Sequence, residues 1–386
     1  MSEFYDAQLG SLSHTLFNAA LVAYLVSMVG YFFRMAYTRV AADGSSVSTT
    51  VGRRIGQAAT GMALAGAGVH LASIVLRGVA SDRVPWANMY EYSSALALLA
   101  VLVGLVVLER RLGLGHLMGF VLALSIVTMA IGLMLYTEPG PVVPSLQSYW
   151  IQIHVTAAMV ASSIFMVAFA ATALYLVKDT AERRVAARSG SAYGGSTVGA
   201  ASVTSETDGQ PDDRLDGDAD EARYASPLEQ RQVLSPVLFP LVPFGVVLTF
   251  VLVVWRAPVA ALLAASVAAL VGILTWYAVP HLPPAATLDT VAYRTVAFGF
   301  PIWTFAVIAG AIWAEEAWGR FWGWDPKETG SFFTWVLYAG YLHARATHGW
   351  RGRRAAWIGV LAFVALMVTY YAVNLFVVGL HSYAGV

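Results

Sequence analysis

Residues 150–177 read WIQIHVTAAMVASSIFMVAFAATALYLV. The run is continuously apolar and rich in alanine, leucine and valine, where a half-buried strand would alternate apolar with polar residues. About 20 such residues cross the hydrocarbon of a bilayer as a helix. Nine further stretches qualify or nearly qualify: roughly 16–37, 55–77, 92–108, 116–136, 237–255, 259–279, 295–314, 326–347 and 356–379. In lipid, only helices or closed barrels satisfy their own backbone hydrogen bonds. The expected fold is therefore all-α, a polytopic transmembrane helical bundle of about ten spans.

Composition agrees with that reading. Of 386 residues, 58% are hydrophobic and only 12% charged, with a mean hydropathy of +0.65. A soluble domain carries about twice that charged fraction. Lys+Arg and Asp+Glu balance at 23 each, so net charge gives no argument for nucleic acid as a partner. There is no cysteine, which excludes disulfides, thiolate metal sites and a thiol nucleophile from this chain. Met1 to Gly10 carries acidic residues and no Lys or Arg, unlike the basic opening of a cleavable signal peptide. The first apolar segment is expected to remain as an anchor.

The distribution of basic residues gives an orientation. With the N-terminus outside, the inner segments hold eighteen of the 23 Lys and Arg residues, and the outer ones only Arg77, Arg83, Arg256, Arg320 and Lys327. That bias places both termini outside the cell membrane. Residues 179–236 differ in kind, being rich in Gly, Ser, Asp and Arg. Such a segment buries too little apolar surface to fold and reads as a disordered inner linker. It divides the chain into an N-terminal transmembrane half, 1–178, with about five spans, and a C-terminal half, 237–386. No internal repeat is evident.

The outer loop ahead of the ninth span, 313–330, reads WAEEAWGRFWGWDPKETG. Trp318 and Trp322 are four apart and share a face on any helical turn, with Phe321 and Trp324 extending an aromatic shelf. Flat apolar surfaces with indole donors suit a flat, mostly apolar macrocycle with polar edges. One or two tryptophans here would read as the interfacial belt of any membrane protein. Four within twelve residues, interleaved with glycine and charge, exceed what a belt requires. Asp325-Pro326-Lys327-Glu328 supplies an N-cap residue, proline at the first helical position and glutamate at the third, the signature of a helix start.

The run Trp318-Gly-x-x-Trp322-x-Trp324-Asp325-x-Lys327-Glu328 resembles the WWD signature of the heme-handling superfamily. The remainder of the chain is similar to its CcsA/ResC branch, through Pro85-x-x-Asn-x-Tyr-Glu91, Leu146-Gln-Ser-x-Trp-x-x-x-His154, Tyr341-Leu-His343 and Gly379-Leu-His-Ser-Tyr383. The resemblance covers most of the chain except the linker and the spans at 237–279. One departure is Gly330, where the family pattern has another tryptophan.

The resemblance implies a subunit of a system II cytochrome c synthase, a heme lyase working with a ResB-type partner. Heme b would be the cofactor handled, apocytochrome c the client, and a thioredoxin-like protein the thiol reductant. His154 at the outer start of the fifth span and His381 at the outer end of the tenth are implied as the two ligands to an outer heme iron. The shelf of Trp318, Phe321, Trp322 and Trp324, with Asp325, would hold the macrocycle. Arg320, Lys327 and Arg256 are the outer cations available to propionates. His343 lies 18 residues beyond Asp325, about 27 Å along a helix, and is implied as a ligand to heme within the membrane. His70, deep in the second span, reads as a packing or hydrogen-bonding residue. The heme site would then lie on the outer face of the plasma membrane, with lipid around the spans.

Two other functions fit the same residues. One is a heme exporter or chaperone without synthase activity. The other is an electron-transfer cytochrome of the b type, which requires histidine pairs on facing helices within the membrane core.

Overall fold

The computed structural model of the chain describes residues 6–40, 46–140, 147–189, 227–255, 258–347 and 349–380. Helix α1 (Ala7–Ala36) starts at Asp6, whose carboxylate accepts from the backbone N–H groups of Gln8 and Leu9 at 2.9 and 3.0 Å. A short antiparallel ribbon, β1 (Thr38–Val40) with β2 (Ser46–Ser48), turns the chain into α2 (Thr50–Ser81), which returns along α1. Helix α3 (Met89–Gly104) runs on through a π-helical turn at Leu105–Arg111, and α4 (Met118–Met134) packs back against it. Helix α5 (Tyr149–Ser189) contains the whole apolar run 150–177. The second half holds α6 (Pro227–Gln232), the hairpin α7 (Leu238–Trp255) and α8 (Pro258–Ala278), then α9 (Ala285–Trp318), α10 (Pro326–Thr347) and α11 (Arg353–Met367). A π-helical turn at Val368–Ala372 joins α11 to the short α12 (Val373–Phe376).

The architecture is the expected all-α polytopic bundle. Among the described residues, eight helices are long and apolar enough to cross a membrane. The other two expected spans, α7 and α10, are helical as well. The first is the 18-residue helix Leu238–Trp255, apolar in sequence throughout. The second carries Lys327, Glu328, His343 and Arg345 along its length, which lowers its hydropathy.

Helix α5 forms the axis, packed lengthwise on α9 and flanked by α3 and α11. Two glycines on α9, Gly299 and Gly310, lie eleven residues apart and so three turns along one face. A Cβ at Gly299 would stand 2.9 Å from side-chain atoms of Ile164 and Phe165, so any larger residue would have to push both side chains aside. Phe165 in turn stacks on Tyr338 of α10 with ring centroids 3.9 Å apart. Close backbone approach through small residues is how helices associate when lipid supplies no hydrophobic driving force between them.

The linker expected over 179–236 is shorter at both edges. Residues 179–189 continue α5 and Pro227–Gln232 forms α6, while 190–226 lie outside the described residues. The reason is pairing, which composition does not register. Buried Asp179 accepts from Arg183 one turn on at 2.8 Å and from Arg353 of α11 at 3.1 Å. Lys178, also buried, donates to Gln230 at 2.6 Å and to the Val279 carbonyl at 3.1 Å. At the same end, Arg345 of α10 grips Asp289 of α9 through two bonds of 2.6 and 2.9 Å. Ion pairs thus tie the helices together at one end of the bundle, and the other end holds a cavity.

Candidate functional site

That cavity has a volume of about 420 Å³, inside the range of roughly 300–1,000 Å³ typical of small-molecule sites. Its walls come from the loop ahead of α3, the first turns of α5, the last turns of α9, the tryptophan loop with the start of α10, and the π-helical turn that follows α11. Segments remote in sequence therefore meet here, including the Pro85–Glu91 region, the approach to His154 and the tryptophan loop.

His154 lines this cavity from the second turn of α5. Its Nδ1 lies 2.8 Å from the carbonyl oxygen of Ala306 on α9. A carbonyl only accepts, so Nδ1 carries the proton and Nε2 keeps the lone pair. The bond depends on Gly310. In a helix a side chain covers the turn N-terminal to its own Cα, so residue 310 is placed to shield the carbonyl of residue 306. A Cβ on Gly310 would lie 2.7 Å from both Cε1 and Nδ1 of His154. The imidazole lies in the gap that glycine leaves, parallel to the Trp313 indole within 6° at a centroid distance of 6.4 Å. An imidazole with one nitrogen tied to a backbone carbonyl and the other open is the arrangement that metal-ligating histidines adopt.

Aromatic side chains make much of the remaining wall. Trp86, Trp303, Trp313, Phe321 and Trp322 line the cavity, together with Tyr92 and Tyr370, whose rings stack at 4.1 Å. The indole Nε1 atoms of Trp86 and Trp303 are buried without a hydrogen-bond partner, as are Glu328 Oε1 and Asn374 Oδ1. A buried polar atom left unpaired costs on the order of 1–3 kcal/mol. Four of them on residues of one cavity wall mark a place arranged for a ligand with polar edges. The backbone also departs from regular helix here, at the π-helical turn Val368–Ala372 that brings Thr369 and Tyr370 to the wall. Such π-bulges recur at functional sites.

The tryptophan loop is built differently from the expected shared helical face. Helix α9 ends at Trp318, where Gly319 takes a left-handed conformation at φ +68°. Trp318 and Trp322 therefore lie on opposite sides of a helix terminus. Trp318 packs edge-on against Trp313 at 4.7 Å, outside the cavity wall. Trp322 and Phe321 reach the wall, whereas Trp324 is 62% exposed and meets Trp322 only at right angles. Arg320 folds over Gly323, its guanidinium occupying the space a side chain there would need. Lys327 lines the cavity and Arg320 does not. Arg256 lies outside the described residues.

The helix start at Asp325 is as the sequence reads. Glu328 Oε2 accepts from the Asp325 N–H at 3.0 Å, and Asp325 Oδ1 accepts from the Lys327 N–H at 3.2 Å. Glu328 Oε2 also accepts from the Gly323 N–H at 2.8 Å. The carboxylate thereby holds both neighbours of Trp324, which sits at φ +56°, a conformation that costs a non-glycine residue of order 1 kcal/mol or more.

The opposite wall rests on Glu91. Its carboxylate, wholly buried, accepts from Arg77 at 2.8 Å, from Arg83 at 2.8 and 2.9 Å, and from the Ala87 N–H at 2.9 Å. Asn88 caps α3 by accepting from the Glu91 N–H at 2.9 Å. The Pro85–Glu91 motif is thus a scaffold that presents Trp86 to the cavity.

The other histidines separate. His70 is buried with both ring nitrogens engaged, at 3.3 Å from the Tyr24 hydroxyl and 2.9 Å from the Ser94 hydroxyl, so it is the hydrogen-bonding residue expected. His343 is exposed near the far end of α10 and does not line the cavity. His381 lies outside the described residues. Trp86, Trp303, Ala306 and Gly310 were not singled out from sequence, and Trp313 was counted only as one of the four tryptophans of the loop. Gly310 sits three residues ahead of Trp313, a gap beside an aromatic on one helix face, which is the one sequence signal for that pair.

Helices and cavity together define a multi-pass membrane protein with an aromatic, imidazole-bearing chamber at one end of its bundle. Residues 86–381 match the family model described as Cytochrome C assembly protein. The cytochrome c biogenesis protein CcsA of Gloeobacter violaceus is 30% identical over 390 residues, covering 98% of this chain and 97% of that protein. The CcsA of Synechococcus elongatus is 32% identical over 382 residues, covering 97% and 98%. That of Guillardia theta is 54% identical over 97 residues, covering 25% and 32%. The chain belongs to the CcsA family of cytochrome c biogenesis proteins, and its role is in cytochrome c biogenesis.

Proposed function

We propose that the cavity is where this protein holds heme b for covalent attachment to apocytochrome c, as the CcsA-type subunit of a system II cytochrome c synthase. The observation that carries this reading is the state of His154. Its Nδ1–H is bound to the Ala306 carbonyl and its Nε2 lone pair is left for iron, inside a chamber walled by Trp86, Trp303, Trp313 and Trp322. The unpartnered indole N–H groups of Trp86 and Trp303 and the cation Lys327 are donors suited to the propionate edge. His381 is the proposed second ligand and His343 the proposed ligand to heme inside the membrane. The exposure of His343 supports a partner subunit, of ResB type, completing that inner site.

On this reading the chain supplies positioning and control of ligation, and the cofactor and client thiols supply the chemistry. Heme held there would supply two vinyl groups, and the histidine of a Cys-x-x-Cys-His segment, kept reduced by a thioredoxin-like protein, would take the place of His154 or His381 while each thiol adds S and H across one vinyl group. The site would face outward across the plasma membrane. Asp6 and Leu380 both lie at the cavity end, the first bonded to the Ala80 carbonyl and the second to Asp325, which supports both termini being outside in a ten-span topology. The test is substitution of His154 and His381 by glycine, separately, in the complex co-expressed with its partner. Loss of heme absorption and of reporter cytochrome c assembly is expected. Unchanged heme and unchanged assembly in both variants would remove the ligand assignment, and heme bound without any attachment would favour a chaperone.

A further inference from the structure

The unpartnered polar atoms on the cavity wall divide by chemistry. The Nε1 atoms of Trp86 and Trp303 are donors, whereas Glu328 Oε1 and Asn374 Oδ1 are acceptors. Both acceptors are fixed by what their other polar atom does. Glu328 is only 8% exposed, and its Oε2 accepts from the N–H groups of Gly323 and Asp325 at 2.8 and 3.0 Å. Oε1 is the oxygen left over. The Asn374 amide nitrogen donates to the Tyr370 carbonyl, so Oδ1 is the atom left over there. Asn374 also shares a small second cavity with Asp325, Pro326 and Lys327, which places it at the same end of α10 as Glu328.

Heme suits the donors and not the acceptors. Its methyl and vinyl groups carry no polar hydrogen, its pyrrole nitrogens are taken by iron, and its ionised propionates only accept. A buried acceptor left unpaired is costly, the more so when charged. Beside bound heme, a carboxylate oxygen and an amide oxygen therefore need donors from a second molecule. A peptide carries an N–H at nearly every residue, and a Cys-x-x-Cys-His segment adds an imidazole N–H and two thiols.

We infer that Glu328 Oε1 and Asn374 Oδ1 form a client subsite, a pair of acceptors that takes N–H donors of the Cys-x-x-Cys-His segment and sets it against the heme. This rests on the proposed reading that the cavity holds heme. Glu328 then has two duties: Oε2 fixes the tryptophan loop and Oε1 receives the incoming chain.

Glu328→Gln tests this while keeping the helix start, because glutamine serves at that position of a capping box as glutamate does. Its amide oxygen takes the two N–H bonds, and its NH2 group then stands where Oε1 was, a donor in place of an acceptor. Asn374→Leu removes the second acceptor at nearly constant volume, and decides the matter should the first variant fail to fold. Each variant, beside His154→Gly, is purified as the full chain with its partner and loaded with heme. Melting temperature and heme content are read first. Binding of a labelled Ser-x-x-Ser-His peptide follows, the client segment with its thiols replaced so that no attachment occurs. The expected result is unchanged melting temperature and heme content, with peptide affinity about tenfold weaker in each variant, the fold-change of one hydrogen bond. Heme retention that shifts while peptide affinity holds would mean that Oε1 meets a propionate, and would overturn the inference. Unchanged peptide affinity with unchanged heme, or loss of both together, would overturn it too and leave the heme reading standing. Heme fully retained in His154→Gly would instead remove the heme reading on which the subsite rests.

Discussion

Replacing Gly310 by alanine sets two effects of opposite sign against each other. Alanine is favoured over glycine inside a helix by about 1 kcal/mol, so α9 by itself gains. The new methyl group, however, would stand 2.7 Å from Cε1 and Nδ1 of His154, where ordinary contact begins at 3.4 Å. The ring must withdraw by the difference, about 0.7 Å, and Nδ1 moves off the Ala306 carbonyl. Overpacking of this size typically costs about 1–3 kcal/mol, which the propensity gain offsets in part. Protein yield and thermal stability should therefore change little. Heme retention should fall roughly 10–100-fold, the usual cost of losing the partner that orients a ligating histidine. The assay is heme content per protein in the purified complex, with reporter cytochrome c assembly measured in the same cells. Added imidazole sharpens it: it should restore heme to His154→Gly, where the ring's space is vacated, and not to Gly310→Ala, where that space stays filled. Full heme content in Gly310→Ala would refute the claim that glycine is there to seat the imidazole.

Three further outcomes follow from the same geometry. Trp322→Ala should lower heme retention severalfold while Trp324→Ala leaves it nearly unchanged, since only the first ring lines the cavity; equal losses in heme spectra would contradict this assignment. Glu91→Gln leaves the buried Arg77 and partly buried Arg83 without their carboxylate, so stability should drop by about 3–5 kcal/mol, read as a lower melting temperature and reduced yield in detergent. Gly330→Trp, which restores the family pattern, should reduce yield because Thr369 already fills the space beside Gly330; adding Thr369→Ala should recover part of it, and a full yield from the single variant would count against this packing.

Much of the scaffold was legible because the bilayer leaves few ways to satisfy a backbone, and long apolar runs become helices. The Asp325–Glu328 start was legible too, since capping is local and its residues sit at fixed offsets. The linker edges were not, because Asp179 and Lys178 are stabilised by Arg353, Gln230 and Val279, partners 52 or more residues distant that composition does not weigh. The shelf was only half legible. Spacing of four implies one face on a continuing helix, but Gly319 ends α9 just after Trp318 and sends Trp322 elsewhere. Trp86 and Trp303 looked like ordinary apolar or interfacial residues, and became cavity walls only through tertiary contact. His154 was identified by its motif, while the reason it can ligate, a carbonyl left open by Gly310, is a property of two packed helices.

The decisive measurement is a density map of the complex isolated from membranes with its heme. The macrocycle is expected between Trp86, Trp303 and Trp322, with iron bonded to His154 Nε2 and Nδ1 still on the Ala306 carbonyl. Heme found against the exposed Trp324, or iron beyond reach of His154, would contradict this placement.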